Sequence, residues 1–596
     1  MAKINNKENS KYILLKIFKA LPKSEKLKIF YIILTVSFSS SFDFISIKAI
    51  APLVTNLSNN NISEDNFITK LIFFFFQNNN EDFILVSIAF VFVVSLLFST
   101  IFKLLNLYLT SSFTASSTVY FNKKIFEYIF SQPFSFFINK NSSEFLALTT
   151  KYIDSGVDTL KSLIIFSTSL FMASVIGFTL LVTNFSVTFN IILFIVIMYL
   201  IFTLVVYSKL KYNGKIVDDE SRNNIKLVQE SIGSIREIIL NKSQNYFIKQ
   251  LISSTKRIKF AVLKLDVFLS FPRYMIEAVG VTSIIVFGIF FNRSQNISNT
   301  LPYIASVSFG LQKLLPIFQS IYSAWSVIKS RKYSLNYLVE YIDINIKKDL
   351  LIKNKVNPRI NFSSSLKFEN ISFNYENTDK NALENINFEI KKGESIGIIG
   401  STGSGKSTLI DIIMGLLKPT GGTFFVDGYD IYSNKEDVLY WQSNISHVPQ
   451  DIFLADSKIL ENIALGIDES KIDFKDLHKA VDKAQLKKFI GEQDNGYHSI
   501  IGERGIKISG GQKQRLGIAR ALYRKSNILV LDEATSALDY LTEKNIMDSI
   551  QNKQSELTLI IVAHRQSTLK NCDRVMELKD GKIISFGKPS QILNEK

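Results

Sequence analysis

Three short stretches carry the residue types of phosphate chemistry. "GSTGSGKST" sets Gly400, Ser401, Thr402, Gly403, Ser404 and Gly405 ahead of Lys406, Ser407 and Thr408. That spacing satisfies G-x-x-x-x-G-K-S/T. Glycines let the backbone curl until its N–H groups point at phosphates, Lys406 neutralises the terminal ones, and the Ser407 hydroxyl reaches Mg²⁺. "NILVLDEA" ends an apolar run on adjacent carboxylates. Asp532 is placed to hold Mg²⁺ through water, and Glu533 to orient or deprotonate an attacking water; a merely solvated pair is the plainer alternative. "IKISGGQKQRLGIARAL" adds a second glycine cluster at Ser509, Gly510 and Gly511, just before an apolar-striped helix. Its N-terminus is a second place suited to phosphate, although a packing role for the two glycines is also open. One bound triphosphate rarely needs two such loops from one fold.

The elements that must position these residues are legible around them. "SIGIIG" reads as a buried strand running into the first loop, and "TLIDIIMGLL" as the helix that leaves it. "TLIIVAH" is a further strand ending in His564, where an imidazole would sense a γ-phosphate. The other histidines, His447, His478 and His498, read as structural.

Composition divides the chain in two. Of 596 residues, 47% are hydrophobic and 49 are Phe, high for a protein wholly in water. A transmembrane helix needs roughly 20 mostly apolar residues, and six candidate spans precede residue 329: 28–53, 83–109, 160–183, 186–207, 266–291 and 301–328. The connections after spans one, three and five are short or acidic (Glu64, Asp65). Those after spans two and four run to fifty residues or more and carry Lys123, Lys124, Lys140, Lys151, Lys209, Lys211, Lys215, Arg236 and Lys242. Cationic residues near span ends favour the cytoplasm. The net charge of +16 is therefore better explained by topology than by nucleic-acid binding, and no nucleic-acid partner is expected. Both termini and both long loops are expected in the cytoplasm, the loops as helices continuing from the membrane. The single Cys572 rules out an intrachain disulfide and a cysteine zinc cluster. No cleavage site follows the first apolar run, so no signal peptide is expected.

Taken in order, Gly400–Thr408, Gln450 in "VPQD", "ISGGQ" (508–512), "LVLDE" (529–533), "SALD" (536–539) and His564 resemble the ATPases of ATP-binding cassette (ABC) transporters. Ile508 stands where leucine is commoner. The resemblance implies ATP and Mg²⁺ as cofactors. It assigns Tyr375 to stacking on adenine, and Ser407, Gln450 and Asp532 to Mg²⁺. It makes Lys406, Gln450, Glu533 and His564 catalytic, and Ser536 and Asp539 contacts between two ATP sites. It seats Ser509, Gly510, Gly511 and Gln512 on the nucleotide of a partner subunit. Glu503 and Arg504, in "GERG", resemble the loop by which exporters touch their membrane helices.

One chain then holds two half-sites, and the simplest closure is a two-fold dimer of identical chains. Six spans fused ahead of one ATPase resemble the half-transporter architecture of ABC exporters. The fold class implied is an α-helical six-span membrane domain, then an α/β P-loop NTPase domain with an antiparallel β subdomain and a helical subdomain. The boundaries are an N-terminal elbow at 1–27, a membrane domain at 28–328, a linker at 329–365 and the ATPase at 366–596. The tips near Asn139–Phe145 and Leu240–Tyr246 are expected to couple the two. The setting implied is a bacterial inner membrane, with the ATPase in the cytoplasm.

Charges inside spans are costly and often functional. Asp43, Lys48, Arg273, Glu277 and Lys313 either pair or snorkel, or else Lys48, Arg273 and Lys313 line a cavity that attracts an anionic head group. "FDFISIKAIAPLV", "FPRYMIEAVGV" and "QKLLPIFQSIYSAW" resemble lipid-linked oligosaccharide flippases of the bacterial PglK type. The substrate this implies is a polyprenyl-pyrophosphate sugar or another anionic glycolipid. Rival readings are a multidrug, lipid or peptide exporter, and a non-pumping regulatory or channel ABC protein. The retained Glu533 speaks against the last.

Overall fold

The computed structural model describes residues 16–59, 69–70, 81–183, 185–292, 297–342, 362–376, 378, 380–551, 556–563 and 565–593. The chain separates into two compact units: Met1–Gln132 with Lys140–Leu351, and Ile352–Lys596 with Pro133–Asn139.

The first unit is built from six long helices: α1 (Lys23–Asn59), α2 (Glu81–Phe130), α3 (Ile153–Thr183), α4 (Phe185–Gly233), α5 (Gln244–Asn292) and α6 (Ile297–Ser330). At 1.5 Å per residue, the 49 or 50 residues of α2, α4 and α5 reach about 75 Å, against a hydrocarbon layer of about 30 Å. Each must therefore continue well beyond any bilayer it crosses. Among the described residues, four stretches are long and apolar enough to cross a membrane: Lys23–Leu57, Asp82–Phe130, Ser142–Val182 and Thr188–Gly233. Six were expected. The fifth and sixth candidates, 266–291 and 301–328, include side chains outside the described residues. The acidic connection with Glu64 and Asp65 lies outside the described residues.

Aromatic stacking joins α1 to α2, with Phe38 on Phe102 and Phe42 on Phe98, each at 5.2 Å between ring centres. Two glycines set how closely α6 approaches its neighbours. A Cβ at Gly310 would fall 2.3 Å from Leu180 Cδ2 of α3, and one at Gly214 of α4 would fall 2.0 Å from the Ser330 carbonyl oxygen. The expected linker contains a helix, Lys332–Ile342, and its residues 343–361 lie outside the described ones.

The second unit has two sheets. An antiparallel sheet of order β2-β1-β4-β5 is formed by β1 (Ser365–Phe373), β2 (Leu383–Lys391), β4 (Gly421–Val426) and β5 (Tyr429–Asp430). The other has order β10-β9-β3-β8-β7-β6, with β3 (Ser395–Gly400), β6 (Ile445–Val448), β7 (Ile528–Asp532), β8 (Thr558–Val562), β9 (Arg574–Lys579) and β10 (Lys582–Gly587). All its pairings are parallel except β9 with β10. Strands β7 and β8 read as unbroken apolar runs because both faces are covered. Where the sheets meet, Phe368 stacks between Phe388 and Phe424 at 4.3 and 4.2 Å. Trp441 is fully buried, edge-on to Phe424 at 5.5 Å, and donates from Nε1 to the Ile413 carbonyl at 2.7 Å. Trp441→Ala removes that packing and leaves the Ile413 carbonyl without its donor. It should lower stability by about 3–5 kcal/mol, read by chemical denaturation with ATPase-unit tryptophan-independent circular dichroism. A loss below about 1 kcal/mol would contradict this placement.

Candidate functional site

The first glycine loop turns between β3 and α7 (Lys406–Ile413), at the carboxyl end of the parallel strands, where ligands bind in open α/β sheets. Its curl is enforced by close backbone approach. A Cβ at Gly400 would sit 2.3 Å from the Leu578 carbonyl, and one at Gly405 would sit 2.7 Å from that of Ala382. Gly405 caps α7 with φ of 102°. Lys406 Nζ donates to the Gly400 carbonyl at 2.8 Å and the Ser401 carbonyl at 3.0 Å, so the ammonium is held against its own loop. Ser401, Thr402, Gly403 and Ser407 are exposed, and Ser404 and Thr408 are buried. The Ser404 hydroxyl has no hydrogen-bond partner. Tyr375 lies beside this loop, its hydroxyl 3.0 Å from Thr408 Oγ1 and its ring edge-on to Phe373.

Strand β7 brings Asp532 to the same sheet edge, paired in register with Val562 of β8. Glu533 follows in the left-handed region at φ of 50°, a conformation that costs a non-glycine residue about 1–2 kcal/mol. Gln450, after β6, donates from Nε2 to Glu533 Oε2 at 2.8 Å. Burial and the neighbouring Glu533 raise the Asp532 carboxyl above its usual range, against the pull of Lys406. Asp411, half-buried on α7, is raised to about 6 by burial and by Asp532. His564 lies outside the described residues. Burial lowers His447 to about 4, leaving a neutral ring at physiological pH, and raises the Cys572 thiol to about 12, too high for a nucleophile.

The second glycine cluster opens α8 (Gly510–Tyr523) with a reciprocal cap. Ser509 N donates to Gln512 Oε1 at 2.8 Å, and Gln512 N to Ser509 Oγ at 3.2 Å. Gly510 and Gly511 pass close to Ala537. Among the described residues, no hydrogen bond or ion pair joins 509–512 to 400–408. Ser536 accepts from Gln514 Nε2 at 2.9 Å. Asp539 caps α9 (Tyr540–Ile550) by accepting from Thr542 N, and that bond lowers its carboxyl. Glu503 and Arg504 form a tight turn flanked by Gly502 and Gly505, with Arg504 at φ of 52°.

Sequence reasoning missed the polar hub behind these loops. Gln514, buried, grips the Ser536 turn from both amide ends, donating to Ser536 and accepting from Ala537 N at 2.8 Å. Glu543, 4% exposed, accepts from Thr535, Thr568 and Arg565. The available signal was a Gln on the apolar stripe of α8 and a Glu one turn past the Asp539 cap.

In the first unit a cavity of about 590 Å³ is lined by Arg273 and Glu277 of α5, Gln312 and Gln319 of α6, and Tyr199 of α4, among others. Arg273 forms no ion pair among the described residues. Neither Lys48 nor Lys313 borders this cavity, and for Lys313 the structure shows the pairing alternative. Lys313 Nζ binds Asp43 Oδ1 at 2.5 Å and Ser46 Oγ at 2.8 Å. Asp43 is fully buried and is also held by Lys103 at 2.9 Å and by the Ser99 hydroxyl at 2.7 Å. A carboxylate with no access to water draws cations strongly enough to remove Lys313 from any open surface.

Two family models match the chain: ABC transporter transmembrane region over residues 29–311, and ABC transporter over residues 383–536. The chain is an ABC transporter polypeptide in which a transmembrane region is fused to an ATP-binding region. It is 34% identical over 318 residues to a putative ABC transporter ATP-binding protein of Mycoplasma genitalium, matching 53% of this chain and 51% of that one. It is 36% identical over 256 residues to the ATP-dependent lipid A-core flippase of Pasteurella multocida, over 43% of each. The chain thus spans about half the length of the curated relatives it matches. Its fold also matches the structure of a bacterial Atm1-family ABC exporter with ATP bound, with a TM-score of 0.76 at 20% identity over 96% of both chains.

The raised Asp411 makes stability pH-dependent. The native carboxyl keeps its proton to about pH 6, whereas the unfolded chain releases it near 3.8. The native state therefore binds more protons between these values, and stability falls as pH rises through that window. Asp411→Asn should raise the thermal midpoint by a few degrees at pH 7.5 and much less at pH 4. An equal shift at both pH values would show that Asp411 is not the titrating group.

Proposed function

We propose that the protein is an ATP-driven exporter or flippase acting as a dimer, with ATP hydrolysed at two composite sites. The observation that carries this reading is the separation, within one chain, of the Lys406 loop from the Ser509 cap. Each presents exposed N-terminal helix groups suited to phosphate, and neither completes the other. A second, identical chain related by a two-fold axis would supply the missing half twice. Gly400–Thr408 would cradle the phosphates, Tyr375 would stack on adenine, and Ser509–Gln512 of one subunit would close on the nucleotide of the other. The oxygen donors Ser407, Gln450 and Asp532 suit Mg²⁺, a hard cation that takes few protein ligands when phosphates supply the rest. When bound, the ion neutralises charge on the β- and γ-phosphates. Glu533 would orient and deprotonate the attacking water, and His564 would sense the γ-phosphate. Ser536 and Asp539 would lie between the two sites.

ATP acts in this scheme as a ligand with higher affinity for the closed dimer, and hydrolysis resets it. Asn139–Phe145 and Leu240–Tyr246 would be the coupling tips, and Glu503 and Arg504 the loop that meets them. The setting proposed is a bacterial inner membrane with the ATPase in the cytoplasm. The substrate proposed is an anionic lipid-linked oligosaccharide or glycolipid. Arg273 in a cavity that also holds Gln312 and Gln319 supports it, as does the likeness to a protein named as a lipid A-core flippase.

Mixed subunits test the composite site. Lys406→Ala and Ser509→Arg should each abolish ATP hydrolysis as pure dimers, while a one-to-one mixed dimer keeps one intact site and recovers about half of the wild-type rate. A mixed dimer as inactive as its parents would refute assembly in trans. For the substrate, Arg273→Ala should weaken stimulation of ATPase by a polyprenyl-pyrophosphate sugar about tenfold in half-maximal concentration. Unchanged stimulation, or equal stimulation by uncharged drugs, would remove the anionic head group from the reading.

A further inference from the structure

A second cavity in the first unit, about 610 Å³, lies where the end of α6 passes α4. Gly214 makes this crossing possible, because any side chain there would strike the Ser330 backbone. Four lysines line the cavity: Lys211 and Lys215 from α4, and Lys329 and Lys332 from the end of α6 and the helix after it. None forms an ion pair among the described residues. Carboxylates on neighbouring segments are already engaged. Asp158 is paired with Arg331 at 2.6 Å, and Asp218 is paired with Lys151 at 3.0 Å while accepting from Ser334. Four lysines thus line one concavity with no ion-pair partner among the described residues, an arrangement that costs free energy unless an anion is supplied.

The rest of the lining narrows the ligand. Tyr207, Tyr212 and Tyr333 border the same cavity, and Lys329 lies 5.7 Å over the Tyr207 ring and 6.0 Å over that of Trp325. Aromatic rings mixed with lysines directly after an apolar span mark the level of lipid head groups. Asn336 adds a buried side-chain oxygen, Oδ1, with no hydrogen-bond partner, at the cavity wall. An unsatisfied acceptor beside four cations suits a ligand that carries a phosphate together with a hydroxyl or ammonium donor.

We propose that this cavity binds the phosphorylated head group of an anionic membrane lipid at the end of α4 and α6, apart from the cavity that contains Arg273. The lysines hold the phosphate, the tyrosines border the acyl boundary, and Asn336 accepts from the head-group donor. Occupation would tie α4 to α6 through a ligand that bridges both. This site does not depend on the transported substrate assigned above.

The full chain in dodecyl maltoside, titrated with dioctanoyl phosphatidylglycerol, dioctanoyl phosphatidylcholine or inorganic phosphate, tests it by native mass spectrometry. Phosphatidylglycerol should bind at least about tenfold tighter than phosphatidylcholine, and Lys211→Ala with Lys215→Ala, or Lys329→Ala with Lys332→Ala, should remove that preference. The matched arginine variants should keep it. Lys256→Ala with Lys259→Ala, exposed lysines elsewhere on α5 that remove the same charge, should change affinity less than about twofold. An equal loss in that control would reduce the effect to general surface charge and overturn the site. Phosphate binding as tightly as the lipid would overturn the lipid as its occupant. Folding of every variant is checked by its retained binding of ATP, which failure of the lipid proposal leaves untouched.

Discussion

The approach of one loop to two neighbouring strands closer than any Cβ allows is the constraint from which the second unit follows. Gly400 lies against the Leu578 carbonyl of β9, and Gly405 against the Ala382 carbonyl just before β2. The loop is thereby wedged between the parallel sheet and the antiparallel one. Its N–H groups are aimed by backbone geometry rather than by mobile side chains. A larger residue at either position would push the sheets apart, so the packing of the two sheets and the aim of the phosphate-binding groups are one structural fact. The apolar contacts that close the sheets, from Phe368 to Trp441, hold that wedge shut. A site held this way loses little conformational entropy when it engages a ligand.

The first unit answers to a different constraint, the expense of charge away from water. Asp43 is fully buried and gathers Lys313 from α6, Lys103 and Ser99 from α2, and Ser46 from its own helix. Removing one member of such a cluster leaves an uncompensated charge, which costs far more than the cluster contributes when complete. The cluster therefore specifies which faces of α1, α2 and α6 meet more than it adds stability. Arg273 and the four lysines around Gly214 are the contrasting case. Among the described residues they form no ion pair, and they line cavities where water or an anionic ligand can reach them.

Much of this was legible in the sequence because the responsible signals are local. The glycine spacing from Gly400 to Gly405, the apolar strands before Lys406 and Asp532, and the polar cap at Ser509 each fix a turn or a strand end through near neighbours. The partners of Asp43 were not legible, since they lie 56, 60 and 270 positions away in the chain and charge type alone does not say which lysine turns inward. The same holds for Glu543, which looks like an ordinary surface residue of α9 until Arg565 and Thr568 close over it. The lysine cavity arises from a crossing of two helices more than a hundred residues apart, set by a glycine that in sequence reads only as a weak helix former.

The bond between Gln450 and Glu533 connects these themes. Glu533 is strained, with φ of 50°, and the Gln450 amide occupies one of its carboxylate oxygens. A carboxylate assigned to activate water has to present a free lone pair to that water, so in the proposed reaction the Gln450 amide must yield or share it. Gln450 is followed by Asp451, paired with Lys513 of α8 at 3.3 Å, and by Ile452, whose side chain fills the space left open by Gly517 of the same helix. Movement of Gln450 toward a ligand would therefore pull on the helix that begins at Ser509. In the proposed scheme, Gln450, Asp451 and Ile452 would link the loop that meets one nucleotide to the helix whose cap meets the other, a short route by which one half-site could bias the other.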